Sequence, residues 1–368
     1  MQVAEGLAHI EVTPGTFYNP KMKRLRDISV CFLNAVAKPG FSALDCTAAT
    51  GIRGIRYALE ANAGHVVLVE INGEAYEVMS ANVKANKIED KAKTVNASIQ
   101  SFANSAKEKF DAIDLDPFGT PAPYVFDLMK LAKDGTLLMV TATDTATLCG
   151  AEGDACLRIY AAKPVRNELC HEASIRILLA FVAKIAAQFD FGIEPLLSLA
   201  ELHYIRLFIR LKRSARAAVE SIESIGSASS CSTCHAFYYS KGIGCAEQTC
   251  RFCGSKTVPF GPLWLGSLYD KQVIGKMLEL STDKAIASTL SRILDEYDTP
   301  FFYSLDKISE YLHLGSVSRS SVISLLLKDG KAKASATQFG KNAIKTNADI
   351  SLVMNMVKEA KQLEASKK

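Results

Sequence analysis

Between residues 41 and 142 the sequence alternates short apolar runs with helical stretches. Such alternation is typical of βαβ units, in which parallel strands form one sheet with helices on both faces. A long apolar helix is expected near residues 165–189, and the alternation of residues 194–211 predicts two further strands of the same sheet. The runs are FSALDC, IRGIRYALEA, HVVLVEI, a polar helix, FDAIDLD and TLLMVTAT. We therefore predict a Rossmann-like α/β domain over residues 1–212.

The composition changes after this domain. Residues 213–230 carry small and charged residues without a strong apolar face, and we interpret them as a linker into a cysteine-rich module that ends at residue 266. Residues 270–330 favour helices, and residues 304–330 suggest a helix, a turn and a helix. A short basic segment with strand character follows at residues 331–346. This order is compatible with a mainly helical, winged-helix-like domain over residues 267–368.

The bulk properties exclude some classes of protein. A chain of 368 residues suits two or three domains. Its apolar runs fall short of the roughly 20 residues that a membrane span needs, so we expect no membrane association. The N-terminus lacks the pattern of an export or organelle signal, which predicts a cytoplasmic protein. The net charge of +4 permits a nucleic-acid partner without requiring one.

Four of the ten cysteines stand in two close pairs. Cys231 and Cys234 form one CxxC pair and Cys250 and Cys253 form the other, which is the spacing of a zinc ribbon or knuckle. Four thiolates leave no open position on the metal, so we predict a structural Zn²⁺ site. Cys245 remains over as a free thiol or a substitute ligand.

The predicted sheet carries the features of a cofactor site at one edge. The first of these strands ends in Asp45, and the loop after it brings Gly51 and Gly54 to the start of a helix. The next strand ends in Glu70, about 20 residues further on, where a carboxylate can accept hydrogen bonds from ribose hydroxyls. A plain tight turn, or an NAD enzyme, would share these features.

The motif FDAIDLDPFG separates these possibilities, because it opens a loop above the same edge with Asp116, Pro117 and Phe118. The amine of a nucleobase is a poor nucleophile, so a catalyst must accept its N–H hydrogens and orient it. Asp116 supplies a carboxylate, Pro117 forces the turn while its carbonyl stays free, and Phe118 offers a ring for stacking. The pattern predicts methyl transfer to an exocyclic amine, although Asp-Pro and Phe-Gly also occur as ordinary turn dipeptides.

Through nearly its whole length the chain resembles the tRNA (guanine-N2)-dimethyltransferase family, which acts on guanosine 26. The motifs that carry the resemblance are FYNPKMKRLRDISV at 17–30, LDCTAATGIRGIRYALE at 44–60, DLDPFGTP at 114–121, TATDTATLCGA at 141–151, RNELCHEASIRIL at 166–178 and GPLWLG at 261–266. The resemblance implies a class I methyltransferase sheet, S-adenosylmethionine as cofactor and tRNA as partner. It indicates no obligate protein partner.

The resemblance also implies roles for individual residues. S-adenosylmethionine would be bound by Arg26, Arg53 and Glu70, with Asp45 and Gly51 in the same loop region. Ser98 and Ile99 would line the adenine, and because relatives carry acidic residues there, we expect main-chain contacts at these two positions. Asp116 would be catalytic, and Phe17 and Phe118 would hold the target guanine. His171, beside Glu172 in a helical stretch, is expected to pack rather than to catalyse.

Two surfaces are candidates for contact with RNA phosphates. The motif at 17–30 is basic and by position lies beside the catalytic mouth. The segment 328–345 could place charge along a phosphate backbone, and a solvated basic face is the alternative. Its relevant residues are Lys328, Lys331, Lys333, Lys341 and Lys345 around Gln338 and Phe339.

Two other functions stay open from the sequence. An adenine or cytosine amino-methyltransferase acting on RNA or DNA would share the acidic-Pro-aromatic motif. A non-catalytic RNA-binding zinc protein could retain the sheet as a scaffold, because a fold does not prove an activity. Intact Gly51, Gly54, Glu70 and Asp116 favour the enzyme.

Overall fold

In a computed structural model of the chain, the described residues are 1–366 apart from 202, 243, 245–246, 329 and 331. Cys245 and Lys331 therefore lie outside the described residues. The chain divides into two compact units, each built from several segments. Unit 1 comprises Met1–Asp144, Val182–Glu220 and Tyr269–Ala287, and unit 2 comprises Thr145–Phe181, Ser221–Leu268 and Ser288–Lys368.

Unit 1 is built on a seven-stranded sheet preceded by a small hairpin. The hairpin strands are β1 (Gln2–Glu5) and β2 (Ala8–Glu11). The sheet strands are β3 (Ser42–Asp45), β4 (His65–Glu70), β5 (Ala92–Asn96), β6 (Phe110–Leu115), β7 (Ala132–Ala142), β8 (Phe191–Glu201) and β9 (Tyr204–Arg213). Their order in the sheet is β5-β4-β3-β6-β7-β9-β8. The first five strands are parallel and β9 runs antiparallel to its neighbours, so residues 194–211 contribute two strands to the same sheet, as predicted.

Helices cover the parallel strands, which explains the continuous apolar runs of the sequence. Val66, Val67, Leu68 and Val69 of β4 are completely buried. The helices from the N-terminus to residue 187 are α1 (Lys23–Val36), α2 (Ile52–Glu60), α3 (Gly73–Ala85), α4 (Ile99–Ser105), α5 (Ala122–Met129), α6 (Thr145–Leu148), α7 (Gly153–Tyr160) and α8 (Cys170–Ala187). They are followed in the chain by α9 (Ala215–Glu223) and, in unit 1, by α10 (Lys271–Leu280).

Unit 2 contains two small antiparallel sheets. The first has β10 (Ile225–Cys231) between β11 (Phe237–Lys241) and β12 (Thr257–Trp264). The second has β15 (Ala343–Thr346) between β13 (Tyr303–Ser304) and β14 (Ala334–Ala336). The remaining helices are α11 (Lys284–Asp295), which begins in unit 1, and α12 (Leu305–Tyr311), α13 (Arg319–Lys328) and α14 (Ile350–Ala365).

The units differ from the three contiguous segments expected from the sequence. Unit 2 includes residues 145–181, and unit 1 includes residues 269–287. The expected linker at residues 213–230 contains all of α9 and most of β10. Its small residues pack in a sheet: Ala228 and Ser229 of β10 are completely buried. Among the described residues, no helix is long and apolar enough to cross a membrane.

Gly54 lets α2 approach β4 closely. A Cβ atom at Gly54 would lie 2.8 Å from Leu68 Cγ, whereas Gly275 in α10 has open space around that position. We expect Gly54→Ala to lower the free energy of unfolding by about 1–3 kcal/mol through overpacking. The matched control, Gly275→Ala, should raise it by up to about 1 kcal/mol, because alanine is the better helix former. Urea unfolding measures both, and equal effects of the two variants would contradict the packing account.

Candidate active site

The carboxyl ends of the parallel strands bring the predicted cofactor residues to one edge of the sheet. Asp45 ends β3 and Glu70 ends β4, and Asp116 follows directly after β6. The register aligns Asp45 with Asp114 and Glu70 with Asn96. In open α/β sheets ligands bind beyond this edge. Asp45, Glu70 and Asp116, which are far apart in the sequence, thus lie along one edge of the sheet in unit 1.

Glu70 shapes the loop beside it through both carboxylate oxygens. Glu70 Oε2 accepts a hydrogen bond from the Ala49 amide at 2.8 Å, and Oε1 accepts one from the Asn72 amide at 2.8 Å. The side chain is half-buried. Each carboxylate oxygen has a second lone pair, so Glu70 keeps acceptor capacity for a ribose.

Asp45 fixes the loop between β3 and α2, which carries Gly51 and leads to Gly54. The Asp45 carboxylate is buried and accepts a hydrogen bond from the Gly54 amide at 3.0 Å. Burial and the neighbouring Asp114 charge raise the pKa of Asp45 to about 7. Gly51 has φ +79°, where an L side chain would be strained. In this structure Asp45 therefore positions the loop rather than presenting its side chain at the edge.

One polar atom of the same loop has no partner in the protein. Thr47 Oγ1 is buried and makes no hydrogen bond to the described residues. Buried polar groups are nearly always satisfied. The hydroxyl is consequently available to a ligand that occupies the loop.

Ser98 and Ile99 lie where α4 begins, directly after β5. The Ser98 side chain accepts a hydrogen bond from the Ser101 amide at 3.1 Å and so caps the helix. Ile99 is buried. Two side chains engaged in this way leave chiefly the main chain of this turn for contact with a ligand.

Arg26 is engaged by a buried carboxylate that the sequence reasoning missed. Arg26 Nε and Nη2 donate to the two carboxylate oxygens of Glu5 at 2.7 and 2.6 Å, and Arg56 Nη1 donates to Glu5 Oε1 at 2.7 Å. Burial alone would raise the pKa of Glu5, but the hydrogen bonds and charge of Arg26, with Arg56, hold that pKa at about 2. Arg26 thus joins α1 to the N-terminal hairpin.

Asp116 is held by Arg53. The Arg53 side chain is buried and forms an ion pair with the Asp116 carboxylate, whose own side chain is about 20% exposed. Arg53 Nη1 also lies 3.5 Å from Asp114 Oδ2. The structure thereby joins two residues to which the sequence had given separate roles, one toward the cofactor and one in catalysis.

Asp114 is the centre of a buried network beneath Asp116. Arg206 donates to both oxygens of Asp114, at 2.8 and 2.7 Å, and Tyr57 donates to Asp114 Oδ2. Burial opposes ionisation, yet the charges of Arg206 and Arg53 hold the pKa of Asp114 below its usual value. Arg206 also donates to Thr141 Oγ1 at 2.8 Å and Ser29 Oγ at 3.1 Å. The sequence had one signal for this site: Asp114 and Asp116 are two residues apart and so share a side of the strand.

The DPFG loop is tied to the chain that follows β7. The Gly119 amide donates to Thr143 Oγ1 at 2.8 Å, and the Thr143 amide donates to the Gly119 carbonyl at 2.9 Å. Gly119 has φ +73°. Pro117 is buried within this turn. Thr143 is a second residue that the sequence reasoning missed, although it lies in the motif at 141–151.

Phe17 and Phe118 meet above the edge. Their ring centroids are 4.5 Å apart at an interplanar angle of 84°. Phe118 is 74% exposed and Phe17 50% exposed, so the pair forms a small apolar surface open to solvent. The structure thus brings together the two rings expected to hold a base.

The four paired cysteines converge in unit 2. Cys231 Sγ and Cys253 Sγ are 3.5 Å apart, as are Cys234 Sγ and Cys250 Sγ, and all four sulfur atoms lie within 4.8 Å of one another. Zinc–sulfur bonds of about 2.3 Å in a tetrahedron require separations close to these. The residues therefore fit a tetrahedral metal ion.

The basic segment of unit 2 is only partly exposed. Lys328, Lys333 and Lys341 are exposed. Lys345 is buried and forms ion pairs with Glu172 at 3.1 Å and Glu296 at 3.0 Å. The expectation that Lys345 contacts phosphate is wrong, because its charge is neutralised inside the unit.

The aromatic and amide positions of that segment are also engaged within unit 2. Phe339 stacks on Phe302 at an interplanar angle of 9°. The Gln338 amide donates to Glu296 Oε2 at 2.8 Å. Both residues are half-buried, so part of each is already taken up by contacts within the unit.

The comparisons with known proteins agree on one family. A family model described as "N2,N2-dimethylguanosine tRNA methyltransferase" matches residues 2–358. The tRNA (guanine(26)-N(2))-dimethyltransferase of Pyrococcus abyssi is 36% identical, with 98% of this chain and 99% of the relative covered. That of Methanobrevibacter smithii is 35% identical, with 93% and 91% covered. The solved complex of Trm1 from Pyrococcus horikoshii with S-adenosyl-L-methionine is 34% identical, with a TM-score of 0.89 over 97% of this chain and 99% of that one.

The ion pairs of Glu5 predict a specific pH dependence. Because the pKa of Glu5 falls from 4.5 to about 2 on folding, its stabilisation is complete above pH 4.5 and is lost as the pH falls toward 2. By linkage this amounts to about 3 kcal/mol. We expect Glu5→Gln to be less stable than wild type at pH 6 and the difference to shrink steadily below pH 4.5. Urea unfolding from pH 6 to pH 2 measures it, and a pH-independent difference would contradict the assignment.

Proposed function

The chain belongs to the N2,N2-dimethylguanosine tRNA methyltransferase family, and on this premise we propose that it transfers methyl groups from S-adenosylmethionine to the exocyclic N2 of guanine 26 in tRNA. The observation that carries the proposal is the arrangement of Asp116, Arg53 and Phe118 beside the cofactor edge. The N2,N2-dimethylguanosine in the family's description carries two methyl groups on N2. Because its substrate is tRNA, we propose that the protein acts in the cytoplasm.

The cofactor edge fits S-adenosylmethionine. Glu70 accepts from the ribose hydroxyls, and the turn at Ser98 and Ile99 offers main-chain groups to the adenine. The buried Thr47 hydroxyl has no hydrogen-bond partner among the described residues and is available to the polar end of the cofactor. Gly51 and Gly54 keep the loop close to the sheet. When bound, S-adenosylmethionine supplies the activated methyl group.

Asp116 orients the guanine. Guanine presents N1–H and the exocyclic amine side by side, so one carboxylate can accept from both. Adenine offers one donor group on that edge, and this disfavours it. The ion pair with Arg53 fixes the Asp116 carboxylate while leaving it lone pairs for the base. The Pro117 carbonyl is a further acceptor for the amine, and Asp116, or a water that it holds, accepts the proton that the amine loses.

Phe118 and Phe17 hold the base by stacking. An exposed aromatic ring gains on the order of 1–3 kcal/mol by stacking on a nucleobase. The two rings now contact each other, so a base between them requires the rings to separate. The N-terminal segment that carries Phe17 then closes over the guanine.

tRNA is the partner of this site, and exposed cations support its binding. Lys328, Lys333 and Lys341 of unit 2 are available for phosphate contacts, as is Lys21 of unit 1 in the basic motif at 17–30. Phosphate contacts of this kind release counterions, so affinity falls with salt. The products formed distinguish the two alternatives. A methyltransferase of adenine or cytosine would give methylated adenosine or cytidine, and a non-catalytic scaffold would give no methylated nucleoside.

The four-cysteine group of unit 2 holds a structural Zn²⁺ in this proposal. Its ligands are Cys231, Cys234, Cys250 and Cys253, of which only Cys253 is not fully buried. They belong to an apolar core that includes Ala236, Val353 and Val357. Bound zinc would therefore join the segment that follows β10 to the segment that precedes β12, within the core of the unit.

Asp116→Ala tests the catalytic role. We expect the single-turnover rate with saturating cofactor to fall about 100- to 10,000-fold, with nearly unchanged S-adenosylmethionine binding. Asp116→Asn should also fail, because an amide cannot take the proton. The exposed Asp90→Ala serves as control and should keep its activity. An Asp116→Ala enzyme within tenfold of the wild-type rate would refute the mechanism.

Cys250→Ser tests the structural zinc. We expect loss of one zinc ion per chain and a stability loss of several kcal/mol, since zinc in such modules contributes on the order of 10 kcal/mol. Cys31→Ser, at a cysteine outside the four-cysteine group, is the control and should keep its zinc. Metal analysis and thermal unfolding give both readings, and unchanged zinc content in Cys250→Ser would disprove the site.

A further inference from the structure

A second group of metal-ligand side chains lies in unit 2, apart from the four-cysteine site. Its members are Cys149, Cys170 and His171. Cys149 follows α6, and Cys170 and His171 begin α8. His171, which was expected to pack rather than to catalyse, is exposed. We propose that these three residues form a second Zn²⁺ site with one open coordination position.

The geometry of the three donors matches a zinc site. Their ligand atoms all lie within 4.8 Å of one another, and Cys149 Sγ is 3.8 Å from His171 Nδ1. With zinc bonds of about 2.3 Å to sulfur and about 2.0 Å to nitrogen, a tetrahedral ion requires a sulfur–nitrogen separation of about 3.6 Å. The Cys149–His171 pair therefore lies within a few tenths of an ångström of that separation.

The backbone brings the two segments together before any metal binds. The Cys149 amide is fixed by the Thr145 carbonyl at 2.8 Å. Gly150 has φ +90°, and a Cβ there would lie 3.2 Å from the Val165 carbonyl carbon. The chain can therefore pass close to the segment that leads into α8. The Cys170 amide in turn donates to the Asn167 carbonyl at 3.1 Å.

The start of α8 fixes two of the three donors in the backbone. Cys170 and His171 are the first two residues of this helix. Ser174 Oγ donates to the His171 carbonyl at 2.7 Å and fixes the first turn. Zinc binding would release the two thiol protons, while the exposed face of His171 leaves the fourth position to water.

The donor set gives this site a different character from the four-cysteine group. Two thiolates and one imidazole with an open position resemble reactive zinc sites, in which the fourth ligand is water or an exchanging group. Zn²⁺ also suits this donor set better than Mg²⁺ or Ca²⁺, which prefer oxygen. The inference rests on these three residues and does not depend on the proposed methyl transfer.

The test uses the full chain equilibrated with Zn²⁺ and passed through gel filtration under reducing conditions. We expect His171→Gln and Cys149→Ser to bind about one zinc ion per chain fewer than wild type, while the exposed His171→Gln still unfolds in a cooperative thermal transition. His9→Gln, at another exposed histidine, and Cys31→Ser are the matched controls and should retain the wild-type zinc content.

Co²⁺ in place of Zn²⁺ supplies a second readout. We expect a thiolate-to-cobalt absorption band in wild type that is weaker in Cys149→Ser and in His171→Gln, on top of the band from the four-cysteine site. Equal zinc contents and cobalt spectra in wild type, His171→Gln and Cys149→Ser would overturn the proposal. A Cys149–Cys170 disulfide in the reduced, zinc-equilibrated protein would overturn it as well. The methyl-transfer rate of wild type is measured separately, so either proposal can fail alone.

Discussion

The bidentate ion pair between Asp114 and Arg206 lies at the centre of unit 1, and both side chains are completely buried. A carboxylate in such a place is tolerated only when cations and hydrogen-bond donors surround it. Arg206, Arg53 and Tyr57 supply them from β9 and α2, and Arg206 also reaches Ser29 on α1. Removing one partner of a buried pair costs about 3–5 kcal/mol, so the packing of these elements depends on this network.

The same network determines where the catalytic carboxylate stands. Arg53 contacts Asp114 below and Asp116 above, so its guanidinium links the buried charge to the exposed edge of the sheet. Asp116 therefore needs no partner from solvent to be held in place. Unit 2 has a comparable centre at Glu172, which accepts from Arg176, Lys345 and the Phe301 amide. Arg176 also donates to the carbonyls of Trp264 and Gly266, which gives two of the sequence motifs a structural role.

The sequence was sufficient where the signal is local. The alternation of strands and helices predicted the sheet, strand ends placed Asp45, Glu70 and Asp116 at one edge, and the CxxC spacing placed four sulfur atoms together. Prediction from the sequence failed where burial determines what a charged side chain contacts. Lys345 looks like a phosphate contact, and nothing near it in sequence reveals Glu172 and Glu296. The Arg26–Glu5 pair and the helix and strand within residues 213–230 likewise depend on partners distant in the chain.

The central claim is methyl transfer to N2 of one guanine in tRNA, and the most direct test compares two substrates that differ only in that amine. One tRNA carries guanosine at position 26 and the other carries inosine, which keeps N1–H but lacks the exocyclic amine. After incubation with the wild-type chain and labelled S-adenosylmethionine, nucleosides are analysed by mass. The account predicts N2-methylated guanosine from the first tRNA and no incorporation into the second. Label in the inosine tRNA, or methylated adenosine or cytidine from either, would contradict it.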